Sequence, residues 1–191
     1  MPKQRITKEM VVDAAFQLAR EGGMERVLVK DIAARLGCSV QPIYSCCQSM
    51  EGLRRDVLEK TRGFVRDYLA RDSGCRDPFQ AAGRGCVRLA REEPHLFRLF
   101  TLSPREGVAS LEQFYQTEAS PGMAGLIAEE LGVSEEQARR LHLNMLIYTT
   151  GLSAIFSVAR PGIPADEIFS WQSSAYEAFL AQLKEESKDE P

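Results

Sequence analysis

Residues 29–53 read VKDIAARLGCSVQPIYSCCQSMEGL, and their spacing predicts two short helices joined by a tight turn. Ile32, Ala33 and Leu36 share one helical face, Gly37 ends that helix, and Ile43 recurs where the next helix packs back. Helices that cross steeply need a small side chain where their backbones approach, which Ala33 supplies. They also need a residue free to adopt positive φ at the corner, which Gly37 supplies. Ser39 is placed to cap the second helix. Pro42 falls in that helix's first turn, where the amide hydrogen it lacks has no intrahelical acceptor. This is the pattern of a DNA-reading helix-turn-helix; an ordinary helical hairpin inside an all-α core satisfies the same spacing.

Outward from this hairpin, helical signals repeat with almost no strand signal. Upstream, Thr7 can cap a first helix whose stripe Val11, Ala14, Ala15, Leu18 and Ala19 follows the 3.6-residue period, and Gly22-Gly23 stops it. The hairpin helices fall at about 29–36 and 40–46. Downstream, 51–71 reads as a longer fourth helix with Leu53, Val57, Leu58, Phe64, Val65, Tyr68 and Leu69 facing inward, broken by Ser73-Gly74. Pro78 and Pro94 fit the first turns of a fifth and a sixth helix. A seventh helical region, 108–131, is interrupted at Ser120-Pro121-Gly122. Ser134 with Gln137 three residues on forms a capping box, opening a helix that runs to about Ala159. The last helix covers 166–184 and leaves a charged tail. The expectation is an all-α chain of about nine helices, with a three-helix head at 1–50 and a larger helical core at 51–191.

A chain of 191 residues with 44% hydrophobic content is ordinary for a globular protein. No apolar run is expected to approach the roughly 18 residues of a membrane span, and the N-terminus MPKQRITKEM lacks the apolar segment of a secretory signal. Five cysteines (Cys38, Cys46, Cys47, Cys75, Cys86) form no regular framework, which fits reduced thiols in a cytoplasm better than disulfides. The net charge of −3 conceals an asymmetry: residues 1–60 carry ten Lys/Arg against eight Asp/Glu, and residues 61–191 carry 14 against 19. A mildly basic head on an acidic body suits a nucleic-acid-binding module joined to something else.

The last two helices are apolar around much of their circumference, more than one buried face requires. A second copy of the chain is the economical cover, because two helices from each partner close a four-helix bundle. Leu152, Phe156, Phe169, Trp171, Tyr176 and Phe179 are the expected dimer contacts. Central helices of a monomer are the alternative.

Over about 7–58 the chain resembles the TetR family of one-component transcriptional regulators. The resemblance lies in the helix ending in Gly22-Gly23, in Val29-Lys30-Asp31-Ile32-Ala33, in Leu36-Gly37-Cys38-Ser39, in Ile43-Tyr44 and in Ser49-Met50-Glu51-Gly52-Leu53. Beyond residue 60 only helix number and order match. The resemblance implies an all-α homodimer whose three-helix heads grip a palindromic operator. It further implies that 51–191 is an effector-binding and dimerisation domain, with repression as the usual output. Three positions depart from the family pattern. Leu28 stands where a Thr or Ser usually caps the second helix, a loss of about 1 kcal/mol. Cys46-Cys47 replaces a His or Tyr followed by Phe, and Met50 replaces a Lys that contacts the DNA backbone.

The expected DNA contacts are Lys30, Ser39, Val40, Gln41, Pro42, Tyr44 and Ser45. Gln41 and Ser39 suit base-edge hydrogen bonds in the major groove, and Val40 or Pro42 suits contact with a thymine methyl. By resemblance, Tyr44 donates its hydroxyl to a phosphate and Lys30 adds charge nearby. The recognition helix has no basic residue, so phosphate neutralisation falls to Lys30, Arg35, Arg54, Arg55 and the arm from Lys3 to Lys8, and salt sensitivity should be shallow.

Phe64, Tyr68, Phe97, Phe100, Phe114, Met145 and Tyr148 supply apolar surface for an effector pocket, with Asn144 and Thr149 adding polar atoms, as suits a small lipophilic molecule. A packed aromatic core is the competing reading. Coupling is expected through the fourth helix.

No enzymatic constellation emerges. His95 and His142 are the two histidines, neither at metal-ligand spacing, and no HExxH, GxSxG or GxxxxGK[ST] occurs; no cofactor, metal or membrane partner is expected. Cys46 or Cys47 could block DNA contact if oxidised. Three functions stand: a ligand-responsive regulator, a helical protein-interaction module with a degenerate DNA-binding head, and an enzyme using the core cavity.

Overall fold

Thr7 has extended backbone, and its side-chain oxygen accepts a hydrogen bond from the Met10 amide at 3.3 Å. That cap starts α1 (Lys8–Gly22), as the sequence leads one to expect, and Gly23 at φ 85° ends it. The computed structural model describes residues 5–71, 78–105, 107–119, 121–159 and 162–189, without the side chains of 78–79, 165 and 186–189. Among the described residues there are ten α-helices and no strand. A short 3-10 turn, Met24–Arg26, follows α1. Then come α2 (Val29–Leu36), α3 (Gln41–Cys46), α4 (Met50–Ala70), α5 (Pro78–Glu92) and α6 (Pro94–Thr101). The C-terminal elements are α7 (Leu111–Glu118), α8 (Met123–Leu131), α9 (Glu135–Ala159) and α10 (Ala165–Asp189).

The caps explain most boundaries. Ser49 accepts from the Gly52 amide at 3.0 Å and starts α4. Ser110 accepts from Gln113 at 3.2 Å and starts α7. The Ser134/Gln137 capping box closes in both directions, at 3.2 and 2.9 Å. The interrupted region 108–131 is two separate helices, and α10 runs five residues beyond the expected end at Lys184. The breakers Ser73-Gly74, Ser120 and Arg160-Pro161 lie outside the described residues.

The chain divides into two compact units. The first comprises 1–71 and 89–103. Its core is built by α1 to α4: Val11, Ala15, Leu18 and Ala19 of α1 meet Val27, Ile32, Ala33, Ile43, Leu53 and Val57. Within this unit α6 packs on α1 and α4. Burying the Val, Leu and Ile side chains of this set contributes on the order of 1.5–3 kcal/mol each against chain entropy. This packing division differs from the functional boundary expected at residue 50.

The second unit comprises 72–88 and 104–191. Ile127, Ala138, Leu141 and Leu183 join α8, α9 and α10 in one cluster, and Val87, Phe156 and Ile168 join α5, α9 and α10 in another. Buried polar groups cross-link the same helices. Gln172 Nε2 donates to the Gly83 carbonyl at 3.2 Å and to Thr149 Oγ1 at 3.3 Å. Tyr115 Oη lies 3.0 Å from His142 Nδ1, with the two rings edge to face.

α9 departs from the expectation that no apolar run approaches the length of a membrane span. By length and composition α9 meets the requirement for crossing a membrane. The stretch 141–159 contains no Asp, Glu, Lys or Arg, although short of being uniformly apolar. Leu141, Met145 and Phe156 are buried against the chain's own helices, which accounts for part of the apolar composition through packing, while Ile147, Ile155 and Val158 stay exposed.

Candidate nucleic-acid interface

The geometry of the hairpin follows from its backbone bonds. Gly37 sits in the left-handed region at φ 63°, ψ 33°. Its amide donates to Ala34 at 3.2 Å and the Cys38 amide donates to Ala33 at 3.0 Å. This pair of bonds satisfies the last carbonyls of α2 and turns the chain sharply. A side chain at Gly37 would meet no neighbour, so what requires glycine is the positive φ and not space.

Ser39 does not cap α3, contrary to expectation. Val40 is the capping residue, with helical backbone (φ −70°, ψ −21°) and no side-chain cap. The Val40 carbonyl accepts from the amides of Ile43 (3.1 Å) and Tyr44 (3.3 Å). Pro42 in the first turn has no amide hydrogen to satisfy, so little is left for a cap to do. Leu28 precedes α2 with extended backbone and no side-chain cap, and is 51% exposed.

The short α3 has two distinct sides. Ile43 is 1% exposed and inserts into the core of the first unit, joined by Cys47. Opposite it, Val40, Gln41, Tyr44 and Ser45 are exposed. Their spacing of one and four residues places them on one strip. Tyr44 is 63% exposed, which excludes it as a core aromatic. Ser39 and Lys30 are exposed as well, whereas Pro42 is half-buried. The Ser45 hydroxyl donates back to the Gln41 carbonyl at 3.1 Å.

Two cations expected to reach phosphate are already engaged. Arg35 NH2 bonds both carboxylate oxygens of Glu21, at 2.5 and 2.7 Å. Lys8 pairs with Asp56 at 2.7 Å. Lys30, Arg54 and Arg55 are exposed. Lys3 lies outside the described residues.

The thiols differ. Cys47 is buried, and desolvation pushes its pKa up, so it resists forming the thiolate that oxidants attack. Cys46 is half-buried and donates to the Ile6 carbonyl at 3.5 Å. Among the described residues no group of three or more His, Cys, Asp or Glu could hold a metal ion.

The residues expected to form an effector pocket belong to both units. Phe64, Tyr68, Phe97 and Phe100 belong to the first, where Phe64 and Tyr68 have ring centroids 6.1 Å apart and Phe97 is fully buried. Phe114, Asn144, Met145, Tyr148 and Thr149 belong to the second. There Met145 and Thr149 are buried, Thr149 is bonded to Gln172, and Asn144 lines a small cavity of about 80 Å³ with Phe179 and Leu183. A larger cleft of the second unit, about 310 Å³, mixes polar and apolar surface and draws on none of the expected aromatics. Glu112, Tyr115, Gln137, Arg139 and Arg140 line it, and Arg139 is paired with Glu112.

Of the expected dimer contacts, one falls in the core. Phe156 is 2% exposed and packs with Val87 and Ile168, so its ring belongs to the chain's own core and not to an accessible face. Leu152 and Phe169 are half-buried against the same cluster, and Tyr176 and Phe179 against the Ile127–Leu141 cluster. Trp171 is 40% exposed. Sequence reading missed Ile147, Ile155 and Val158, all exposed on α9. With Gly151 they recur every three to four residues, on a stripe out of phase with Leu141, Met145, Leu152 and Phe156. A helical wheel drawn for two stripes instead of one finds them.

A solved structure described as a TetR-like transcriptional regulator from Rhodococcus sp. RHA1 superposes with a TM-score of 0.63, covering 95% of this chain and 99% of that one at 14% identity. The chain therefore has the fold of that regulator. No family model and no curated protein matches the sequence.

Proposed function

We propose that the chain is a DNA-binding transcriptional regulator that grips a palindromic operator as a homodimer, with residues 1–50 as the DNA-binding head and 51–191 as the effector-binding and dimerisation domain. One observation carries this reading: α2, the left-handed turn at Gly37 and α3 leave Val40, Gln41, Tyr44 and Ser45 facing outward while Ile43 anchors the helix. An ordinary buried hairpin has no use for an exposed tyrosine and glutamine on one strip. Tyr44 contacts phosphate and Gln41 a base edge. The fold shared with the Rhodococcus regulator supports the class, although fold alone does not fix function.

Dimerisation is supported by the exposed apolar stripe of α9 (Ile147, Gly151, Ile155 and Val158), together with Trp171 of α10. Two copies meeting on these helices cover that surface in a four-helix bundle. The recognition helices are then set to fall one helical turn of DNA apart, about 34–36 Å. Repression and release by a small lipophilic effector complete the proposal by analogy of fold.

Selection of bound sequences from random duplexes tests the reading. Recovery of a two-fold symmetric site, bound two chains per duplex, supports it; no enrichment at low salt overturns it and favours a protein-interaction module.

A further inference from the structure

The outward strip of α3 has an unusual chemistry for a surface that meets a polyanion. From Gly37 to Ser49 there is no Lys or Arg. Guanine is read most strongly by paired donors from Arg or Lys to its N7 and O6 atoms, and this strip has none to offer. The Ser45 proton is committed to the Gln41 carbonyl at 3.1 Å, which withdraws a second donor from the outward set. Pro42 is half-buried, whereas Val40 is 40% exposed. The strip therefore presents one side-chain amide (Gln41), one branched apolar group (Val40) and one exposed aromatic (Tyr44), and the exposed Ser39 just before it adds a hydroxyl that discriminates little between bases.

Each of the first two has a natural counterpart in the major groove. A glutamine amide donates and accepts in the pattern that adenine shows at N7 and N6, and an isopropyl group packs on the C5 methyl of thymine. Val40 and Gln41 are consecutive, so one chain places both against neighbouring base pairs. We infer that this face reads A·T pairs and that Val40 is a specificity-determining residue packed on a thymine methyl group. The inference rests on the DNA-binding reading above and adds to it the base composition of the half-site and the group that is recognised. Selectivity then comes from shape and apolar contact, in a head two of whose cations, Arg35 and Lys8, are held by Glu21 and Asp56.

The test uses the full chain and the duplex recovered by selection, with deoxyuridine replacing each thymidine in turn. That change deletes one methyl group and leaves pairing intact. The expected result is A·T pairs at the centre of each half-site and one thymidine per half-site whose replacement weakens binding about fourfold, the effect of one buried carbon group. Val40→Ala binds the thymidine and deoxyuridine forms equally. Because the comparison on the native chain changes only the DNA, it does not depend on how any variant folds. Half-sites centred on invariant G·C pairs, or tolerance of deoxyuridine at every position, overturn the inference while leaving the DNA-binding reading in place. Failure to bind any duplex overturns that reading, and the inference with it.

Discussion

Arg20 of α1 grips Glu93, which stands between α5 and α6, with both guanidinium and carboxylate presented side by side; Nε lies 2.8 Å from Oε2 and NH2 bonds Oε1. The two residues are 73 positions apart in sequence. The Glu93 side chain is 12% exposed, and the Arg20 guanidinium also lies over the Phe64 ring at 5.4 Å. Nearby, the Tyr68 hydroxyl donates to Glu92 at 2.5 Å. A bidentate, largely shielded carboxylate ties α1 to the start of α6 within the first unit.

Removing that carboxylate should therefore cost more than a surface pair does. Arg20 is partly solvated, so the loss lies between the exposed and fully buried cases, about 1–2 kcal/mol for Glu93→Ala. Urea unfolding reads it as a lower midpoint at unchanged slope. An unaltered midpoint would mean that solvent replaces the bond without loss.

Burial lowers the pKa of His142 from 6.5 to about 4. The unfolded chain takes up that proton first, so this group's contribution to stability is complete above pH 6.5. It is lost as pH falls from 6.5 towards 4, with a slope of up to about 1.4 kcal/mol per pH unit. Comparing native chain with His142→Gln between pH 7.5 and 4.5 isolates it: the difference in stability should narrow or reverse as the medium is acidified. A constant difference would show that His142 takes up its proton in the fold as readily as in the unfolded chain.

Phosphate and base contacts separate by substitution. Tyr44→Phe should weaken binding to operator and scrambled duplex alike, because only a phosphate contact is lost. Gln41→Ala should change which bases are preferred, by about 1–3 kcal/mol at one position. Equal losses on both duplexes for Gln41→Ala would remove it from the reading role.

Glu21→Gln should release Arg35 to the DNA. The pair is partly solvated at the surface, so stability should change little. The plot of log affinity against log salt should steepen by about 0.9 for each phosphate gained. An unchanged slope would mean that Arg35 points away from the duplex.

Trp171 is the sole tryptophan and sits half in water. If the α9 and α10 face closes a dimer, its fluorescence should shift to shorter wavelength as protein concentration rises, and Ile155→Lys should abolish both the shift and the doubled mass in light scattering. A doubled mass retained by Ile155→Lys would place the interface elsewhere.

Most of the helical layout was legible in residue order, because caps and breakers act locally. Thr7 and Ser134 bond amides within their own first turns, so the helices they open begin where one-dimensional patterning puts them. Ser49 and Ser110 do the same, although sequence reading missed them as caps, and Ser110 starts its helix three residues after the expected 108. Ser39 failed as a cap because Val40 had already entered helical geometry and Pro42 left few amides to satisfy. Hairpin, glycine turn and helix periodicity were thus fixed by the sequence itself.

Facing and pairing were decided only by tertiary structure. A helix with two apolar stripes does not reveal which is spent internally, and packing chose Phe156 for the core and left Ile155 and Val158 outside. Likewise, Arg35 and Lys8 read as free cations until folding set Glu21 and Asp56 beside them. The reason is range: capping and φ preferences are satisfied within four residues, whereas burial and ion pairing depend on neighbours that only the folded chain brings near.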